Sequence, residues 1–438
     1  MVYDLIVIGS GPAGYVGAIK AGQRGLKTLV IDKKYVGGMC LNWGCIPTKS
    51  LLESAKMLHK VKSAAEFGIG GIDPADLSFD WQQALKRTQQ IVSKLSRGIE
   101  FLWKKNGVEF LKAEAKILSP TQVEADNRIL ETKNILIATG SRPAQRKDFP
   151  DALSLEDLYG LETLPEKPLL AGRGANLVEL AQFFQMIGKQ PIILADDLPL
   201  MPSLDAYLES YIQKQLKKNK IPVIPTTEAV IKDNYLVYND KEHNFDMVIN
   251  VSFRSAILPE SVPVLELKNG FVKTDRTHQS NIPGIYAAGD VNGKSYLAHV
   301  ASAQALEVID TIMNVELPQD ERQYPLNIYS EPEMAQIGFT EEQIKAQNLD
   351  YKINQYPLSA NGKALTEGSA DGFIRILFET KYNEVLGVQI VAANATDLIS
   401  EAGILMELEG TTYDLARTIH AHPTVAEVYM DAGAIEEE

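Results

Sequence analysis

The stretch YDLIVIGSGPAGYVGAIKAGQRGLKTLVID, residues 3–32, decides the fold class of this 438-residue chain. It opens with a nearly continuous apolar run, residues 3–8, of the kind that is buried in a parallel sheet. A glycine-rich turn and a helical stretch to about Arg24 follow, and a second apolar run, residues 27–31, then ends at Asp32. Strand, turn, helix, strand and terminal acid in this order predict a dinucleotide-binding Rossmann unit.

Three glycines and one acid in this unit have separate roles in holding a dinucleotide. Gly9 makes the tight turn, Gly11 lets a pyrophosphate approach the backbone, and Gly14 lets the helix pack closely against the strand. Asp32 is placed to bind the hydroxyls of the adenosine ribose. A G-x-G-x-x-G motif alone is a weak signal, because glycine turns are frequent, but the flanking elements make this one specific.

The chain has only two cysteines, Cys40 and Cys45, and both lie in the run GGMCLNWGCIPTK. A C-x4-C pair can close a short disulfide loop, can be a buried pair of thiols, or can supply half of a metal site. A zinc site needs four nitrogen or sulfur ligands, and none of the six histidines lies near the pair in sequence. We therefore favour a redox-active pair and expect no metal.

Length and composition set the outer limits. A chain of this length predicts about two to four domains, and the net charge of −14 argues against a nucleic-acid surface and against binding to anionic membranes. No signal peptide and no apolar run long enough to span a bilayer are visible. We expect a soluble cytoplasmic protein, in which a persistent disulfide is usually catalytic.

The cysteine run closely resembles the redox-active segment of the flavin-dependent pyridine nucleotide-disulfide oxidoreductases, and most specifically of the dihydrolipoamide dehydrogenases. The resemblance covers nearly the whole chain; it is densest in residues 3–52 and 413–427 and thinnest in residues 167–262. It implies that Cys40 exchanges with the thiol substrate and that Cys45 lies beside the flavin.

Two later segments resemble the flavin contacts of this family and imply FAD as the first cofactor. Residues 134–143 (NILIATGSRP) resemble the strand and turn that return to the flavin domain, and residues 281–291 (NIPGIYAAGDV) resemble the second flavin contact. Alone, Asp290 is a common turn aspartate and His299 a core histidine, but their order in the chain favours the flavin interpretation. The residues assigned to FAD are Gly9, Gly11, Gly14, Asp32, Lys49, Thr139, Gly140, Asp290, Ala298 and His299.

A second Rossmann-like unit lies between the flavin segments and departs from the family pattern. Its first predicted strand, residues 167–171, is followed by Gly172 and Gly174, which are assigned to NAD, but Leu177 stands in place of the third glycine. We expect this side chain to push the helix away from the strand or to shift it along the strand.

The other end of the second unit also differs. Ala195 follows the predicted strand of residues 191–194, where an acid would bind the ribose, and Ser252 stands where a turn glycine is usual. If a nicotinamide cofactor binds, NAD is favoured over NADP, because Asp196 and Asp197 would repel a 2′-phosphate. NAD is therefore an uncertain second cofactor.

One family feature of the second unit is kept. Glu179, also assigned to the NAD side, matches the glutamate that the family pairs with a lysine near flavin N5, and Lys49 matches that lysine. Such a pair holds positive charge where reduced flavin develops negative charge. The alternative is that both are solvated helix residues, but paired charges in a cleft favour a site.

Acid–base chemistry is predicted near the end of the chain. Residues 420–427, HAHPTVAE, closely match the H-x-H-P-T-x-x-E stretch of the family. A thiol must lose its proton to attack a disulfide, so His422 is the expected general base and Glu427 the group that orients its ring. In the family this pair comes from the partner subunit, which implies a homodimer.

The predicted fold class is α/β, with two Rossmann-like dinucleotide-binding domains, as in glutathione reductase, and a C-terminal α+β dimerisation domain. We expect four parts: residues 1–144, the first part of the FAD domain; 145–262, a divergent NAD-binding-like domain; 263–325, the second part of the FAD domain; and 326–438, the dimerisation domain.

The resemblance implies an FAD-dependent enzyme that oxidises protein-bound dihydrolipoamide and passes a hydride to NAD⁺, with a lipoyl-bearing carrier or acyltransferase as its partner protein. One alternative is a disulfide reductase of the same fold with a non-nicotinamide electron partner, such as an iron–sulfur protein. The other alternative is a non-catalytic flavoprotein subunit. The intact residues Cys40, Cys45, His422 and Glu427 argue against the last hypothesis.

Overall fold

The structure is a computed structural model that describes residues 2–252, 254–318 and 323–435. The chain divides into two compact units, each built from three separate segments. The first unit comprises Met1–Leu51, Asp80–Thr163 and Ser252–Gln319, and the second comprises Leu52–Phe79, Leu164–Val251 and Asp320–Glu438. The four-part division made from the sequence stays a prediction.

The first unit is built on a five-stranded parallel Rossmann sheet. Its strands, in spatial order, are Ile285–Ala287, Ile135–Ile137, Leu5–Ile8, Thr28–Asp32 and Glu109–Lys112. Parallel strands need covered faces, and here helices Pro12–Gln23 and Ala298–Ile312 pack together on one of them. Gly17 permits this close approach, because a methyl group there would lie 3.2 Å from the Ala305 Cβ.

A second sheet in this unit shows that the prediction of one strand over residues 3–8 is wrong. Val2–Tyr3 pairs with Arg128–Thr132 in another sheet, and the Rossmann strand begins only at Leu5. Asp4 lies between the two strands, and its carboxylate accepts a hydrogen bond from the Lys27 amide at 2.9 Å. The order of this sheet is Val2–Tyr3, Arg128–Thr132, Gln122–Ala125, Ala115–Ser119 and Glu260–Ser261.

Two long helices and several short elements complete the first unit, and one of the long helices continues into the second unit. The helix Trp81–Lys105 begins where the Asp80 carboxylate accepts a hydrogen bond from the Gln83 amide, as expected for an N-cap aspartate. The helix Cys45–Lys62 begins in the first unit and ends in the second. The short elements are helices Gly38–Asn42 and Leu155–Leu158, and strand pairs Ser141–Pro143 with Arg254–Ala256 and Leu267–Lys268 with Phe271–Val272.

The second unit contains a second parallel Rossmann sheet of four strands. Their spatial order is Val223–Pro225, Ile192–Ala195, Pro168–Gly172 and Met247–Val251, with helices Ala175–Met186 and Ala206–Lys218. A small antiparallel sheet adds strands Val230–Ile231, Tyr235–Tyr238 and Lys241–Asn244. The two predicted strands of this unit end one residue later than expected, so Ala195 closes its strand instead of following it.

The C-terminal part of the second unit is an antiparallel sheet covered by helices. Its strands, in order, are Leu326–Ile328, Glu333–Gly338, Val385–Ala392, Phe373–Glu379 and Tyr351–Pro357. Its helices are Glu341–Ala346, Gly362–Thr366, Ala395–Glu407, Thr412–Arg417 and Glu427–Gly433. The 3₁₀ turns of the chain are Ala64–Phe67, Pro74–Asp76, Thr226–Glu228, Asp290–Asn292 and Leu358–Ala360. Two parallel Rossmann sheets and a C-terminal α+β layer confirm the predicted fold class.

None of the helices in the described ranges is both long enough and apolar enough to cross a membrane.

Candidate active site

The glycine turn of the first unit leaves room for a pyrophosphate. Gly9 has a φ of +102°, and a methyl group there would lie 2.4 Å from the Ala138 carbonyl oxygen. At Gly14 a methyl group would lie 2.0 Å from the Gly9 oxygen, so both positions require glycine. A methyl group at Gly11 would meet only Gly38 Cα, at 3.9 Å, apart from its chain neighbours and within the described residues. This cradle has the shape that a dinucleotide backbone needs.

The terminal acid of the first unit is joined directly to that turn. Asp32 Oδ2 accepts hydrogen bonds from the Ser10 amide at 2.8 Å and from Ser10 Oγ at 2.7 Å. The Lys34 amide donates to Asp32 Oδ1 at 2.9 Å. The structure therefore brings the turn together with Asp32, the predicted ribose acid. Ser10 was not singled out in the sequence, although its place as the second residue of the glycine motif is a signal for it.

Asp290 lies in a polar cluster at the second predicted flavin contact. Its Oδ2 accepts hydrogen bonds from Ser141 Oγ and from Arg254 Nε, the latter at 3.2 Å. The Arg254 guanidinium also donates to the Ser141 carbonyl oxygen at 2.9 Å and contacts Met39 Sδ at 2.8 Å. The sequence analysis did not identify Arg254. Its position, just after the last strand of the second Rossmann sheet, could have indicated it.

The other predicted FAD residues lie on loops and helix ends of the same unit. Thr139 Oγ1 donates to the Ile257 carbonyl oxygen, and Gly140 has a φ of +72°. Ala298 is the first residue of a helix, followed by an exposed His299. Together with the glycine cradle and the acid at the strand end, these positions fit FAD.

The two cysteines lie on two consecutive helices. Cys40 is inside the helix Gly38–Asn42, and Cys45 opens the helix that also carries Lys49. Both side chains are half-buried. A side-chain hydrogen bond with Cys45, followed by burial, raises the pKa of the Cys40 thiol, and the charge of Lys49 opposes this shift. Two thiols in hydrogen-bond contact can interconvert with a disulfide.

His422 and Glu427 are brought together at the predicted base. His422 Nδ1 lies 2.9 Å from Glu427 Oε1, and the Thr424 amide donates to Glu427 Oε2 at 2.8 Å. These two hydrogen bonds, the Thr424 bond first, lower the pKa of the Glu427 carboxyl. The His422 side chain is 80% exposed and that of Glu427 is 16% exposed. Because the Glu427 carboxylate contacts Nδ1, the proton transfer predicted for His422 would use Nε2.

The glycine turn of the second unit differs from that of the first in its backbone conformation and in an internal hydrogen bond. Gly174 caps its helix with a φ of +93°, whereas Gly11 caps the corresponding helix with a φ of −68°. The Gly174 amide donates to the carbonyl oxygen of Leu200 at 3.0 Å. Leu200 is fully buried, and its own amide donates to Glu209 Oε1 at 2.8 Å. A pyrophosphate at this turn therefore competes with an internal hydrogen bond.

The position of the ribose acid in the second unit is altered as well. In the first unit Ile8 pairs with Ile31, and the strand then ends at Asp32. In the second unit the strand ends at Ala195, which pairs with Gly172, the first glycine of the turn. Ala195 is therefore the counterpart of Asp32. Ala195 thus occupies the place of an acid, and it is fully buried. An ion pair of 3.3 Å joins Arg173 to Asp197 beside it.

The side chains of Leu177 and Ser252 both have partners within the protein: Leu177 is packed in the interior, and Ser252 is hydrogen-bonded. Leu177 is completely buried, and its helix begins from the altered glycine turn. Ser252 Oγ accepts a hydrogen bond from Arg146 at 2.6 Å. These residues fit NAD(H) less well than those of the first unit fit FAD.

Glu179 is fully buried on the helix of the second unit. Its Oε1 accepts a hydrogen bond from the Tyr329 amide at 3.0 Å. Lys49 belongs to the first unit, so the pairing of Glu179 with Lys49 stays a prediction. In the part of the chain that the structure describes, no group of three or more His, Cys, Asp or Glu residues is placed to hold a metal ion.

Comparison with known families gives two matches that together span most of the chain. Residues 3–305 match the model of the pyridine nucleotide-disulphide oxidoreductases. Residues 324–432 match the dimerisation domain of the same family. The chain belongs to the pyridine nucleotide-disulphide oxidoreductase family. It is an oxidoreductase of a family whose members use FAD and NAD(H), and the second match supports a homodimer.

Curated relatives of the family extend over the whole length of the chain. A dihydrolipoyl dehydrogenase of Mycoplasma genitalium is 34% identical over 450 residues, covering 98% of both chains. The mitochondrial dihydrolipoyl dehydrogenase 1 of Arabidopsis thaliana is 33% identical and covers 98% of this chain and 89% of its own. The enzyme class predicted from the sequence, a flavin disulfide oxidoreductase similar to these proteins, is confirmed.

Solved structures of the family share the fold at lower identity. LpdA from Mycobacterium tuberculosis has a TM-score of 0.87 at 21% identity, covering 98% of both chains. The HOCl-induced flavoprotein disulfide reductase RclA from Escherichia coli, in its Cu(II) complex, has a TM-score of 0.86 at 20% identity, covering 99% of both chains.

Proposed function

We propose that this enzyme oxidises protein-bound dihydrolipoamide through the Cys40–Cys45 pair and FAD, with NAD⁺ as the final electron acceptor. The observation that carries the proposal is the hydrogen-bonded cysteine pair next to Lys49, within a run that resembles the lipoamide branch. The names of the full-length relatives agree with this substrate. A lipoyl-bearing carrier or acyltransferase is the proposed partner protein.

The proposed thiol chemistry begins with the oxidised pair. His422 Nε2 takes the proton of one substrate thiol, and the resulting thiolate attacks Cys40. The Cys40–Cys45 bond breaks, a substrate–Cys40 bond forms, and Cys45 leaves as a thiolate. The second substrate thiol then attacks the substrate sulfur of this mixed disulfide and its proton passes to Cys40, so that the substrate disulfide forms and Cys40 is released as a thiol. The substrate is oxidised by two electrons, and the cysteine pair is reduced by two.

The residues around this exchange stabilise its charges. Lys49 places a positive charge near the cysteine pair, which favours a thiolate there. Glu427 holds the His422 ring in one orientation and balances the charge when the ring is protonated. Bound FAD supplies the two-electron acceptor for the reduced pair. As the family resemblance implies, we propose that His422 and Glu427 serve the cysteine pair of the second subunit in a homodimer.

A second candidate function keeps the same thiol chemistry but has a non-nicotinamide electron partner, such as an iron–sulfur protein. The internal Leu200–Gly174 hydrogen bond and the alanine at position 195 favour it. An anaerobic titration with NADH, and separately with dihydrolipoamide, distinguishes the candidates. Reduction of the flavin by both reagents supports the NAD-linked enzyme, whereas reduction by dihydrolipoamide alone supports the second candidate.

We expect NADH to bind this protein weakly, and Ala195→Asp to strengthen its binding by roughly tenfold. A charged hydrogen bond to a ribose is worth about 1.5–3 kcal/mol, or about tenfold to a hundredfold in affinity. Because Arg173 would compete for the new carboxylate, we expect the lower end of this range. NADH affinity is measured by titration of the flavin absorbance or of protein fluorescence.

Ala195→Asn is the matched control, since asparagine has nearly the same size as aspartate but no charge. Restoring Leu177 to glycine is a poorer test, because loss of this fully buried side chain costs stability of about 2–5 kcal/mol. Micromolar NADH binding and fast flavin reduction by the unmodified protein would contradict the expectation.

A further inference from the structure

A second histidine–carboxylate pair lies next to the proposed base. His420 Nε2 is 2.7 Å from Glu401 Oε1, and His420 Nδ1 is 3.0 Å from the Thr418 carbonyl oxygen. The His420 side chain is 6% exposed, compared with 80% for His422. The chain therefore buries the first ring and exposes the second, and the thiol chemistry proposed above does not use the first.

Both ring nitrogens of His420 face oxygen atoms that accept hydrogen bonds. A carbonyl oxygen only accepts, so Nδ1 must carry a proton. Nε2 then faces the Glu401 carboxylate, and this contact is favourable only when another proton lies between the two groups. The geometry thus suits a charge-assisted hydrogen bond between the ring and the carboxylate, which is stronger than a bond between neutral groups.

Glu401 connects the segment before the base to a helix that is anchored in the core. This helix, Ala395–Glu407, packs its inner face into the hydrophobic core of the C-terminal sheet. Its Leu398 carbonyl oxygen also accepts a hydrogen bond of 2.8 Å from the Tyr429 hydroxyl, on the helix that Glu427 opens. One helix thus holds the chain on both sides of the base.

The pair is also electrostatically close to the proposed base. The charge of His420 contributes to the lowered pKa of Glu427, after the larger effects of the Thr424 and His422 hydrogen bonds. The Glu401 carboxylate, after burial, contributes to the raised pKa of Tyr429. Changes at either member of the pair should therefore reach the groups that hold the base.

We propose that the His420–Glu401 pair is a positioning device, which fixes residues 418–424 so that His422 keeps its geometry toward Glu427 and the substrate thiol. The inference rests on the proposed role of His422. Within its own subunit Ile419 is 96% exposed, so its side chain packs little against the chain that carries it. The hydrogen bond between the buried His420 ring and the half-buried Glu401 carboxylate supplies the order instead.

The test compares alanine and glutamine at position 401 in the full-length flavoprotein. Glu401→Ala removes the anchor, and a displacement of about 1 Å at a base costs up to about 10²-fold. We expect dihydrolipoamide to reduce the flavin roughly tenfold or more slowly, with most of the loss in kcat and not in KM. In Glu401→Gln the amide donates to Nε2 of a neutral ring, so we expect a rate within about threefold of the unmodified protein.

Glu407→Ala is the matched control, because Glu407 is an exposed acid at the end of the same helix. If Glu401→Ala does not yield a folded flavoprotein, His420→Ala gives the same test, with His420→Gln as its conservative partner. FAD content and dimer mass are measured for each variant. A double variant that combines both alanines should be no slower than either single one.

Two results would overturn the inference: an unchanged rate in Glu401→Ala, or equal losses in the alanine and glutamine variants. His422→Gln in the same assay separates this inference from the proposed function. If His422→Gln keeps the full rate, the proposed base is wrong. If it slows the reaction while Glu401→Ala does not, only the positioning role fails.

Discussion

Changing Cys45 to serine is expected to abolish both turnover with dihydrolipoamide and the long-wavelength absorption band of the reduced enzyme, while FAD stays bound. The physical reason is that a hydroxyl cannot form the exchangeable bond to Cys40 and is not ionised near neutral pH. In the unmodified protein, two-electron reduction should leave a Cys45 thiolate against oxidised flavin, which gives the band. The measurement is an anaerobic absorbance titration with excess dihydrolipoamide.

Cys40→Ser provides the matched comparison for this prediction. It should also lose turnover, because the exchanging thiol is gone, but it keeps the Cys45 thiolate that gives the band. The two variants therefore separate the roles assigned to the two thiols. Absence of the band in the unmodified protein with excess dithiol would show that the redox-disulfide assignment is wrong.

Replacing His422 by glutamine is expected to slow thiol–disulfide interchange by about 10²–10⁴-fold, the usual contribution of a positioned general base. Glutamine can still bond to Glu427 but cannot take a proton from a thiol. Because the proposed role of Glu427 is to orient the ring and not to transfer a proton, Glu427→Gln should have a smaller effect. Stopped-flow reduction of the flavin by dihydrolipoamide measures both losses.

His59→Gln is the control for the base, since His59 is an exposed residue of the helix Cys45–Lys62. The same substitution there should leave the rate unchanged. Unchanged dihydrolipoamide turnover in the His422 variant would remove the acid–base role from the mechanism, although the cysteine pair would keep its own.

Local sequence was sufficient where one short segment contains all the parts of a structure. The first Rossmann unit could be predicted because strand, glycine turn, helix and acid follow one another within residues 3–32. The steric demands on Gly9 and Gly14 come from their immediate neighbours. The cysteine pair was equally visible, since Cys40 and Cys45 lie on adjacent turns of the chain.

The sequence also located the departures in the second unit, but not their structural consequences. The sequence showed that Leu177 replaces the third glycine of the motif and that Ala195 replaces the acid expected at the strand end. The hydrogen bond from Gly174 to the Leu200 carbonyl could not be predicted, because it depends on how the following loop returns to the turn. The strand over residues 3–8 was wrong for a similar reason: apolar character does not tell which of two sheets a residue joins.

The sequence by itself thus determined the fold class, the paired cysteines and the pairing of His422 with Glu427, whose members are near in the chain. Only the tertiary structure decided which distant groups complete these sites: Arg254 at Asp290, and Glu401 at His420. The physical reason is that hydrophobic periodicity and motif spacing report local backbone geometry. Hydrogen bonds between distant side chains depend instead on strand order and helix packing, which no short segment encodes.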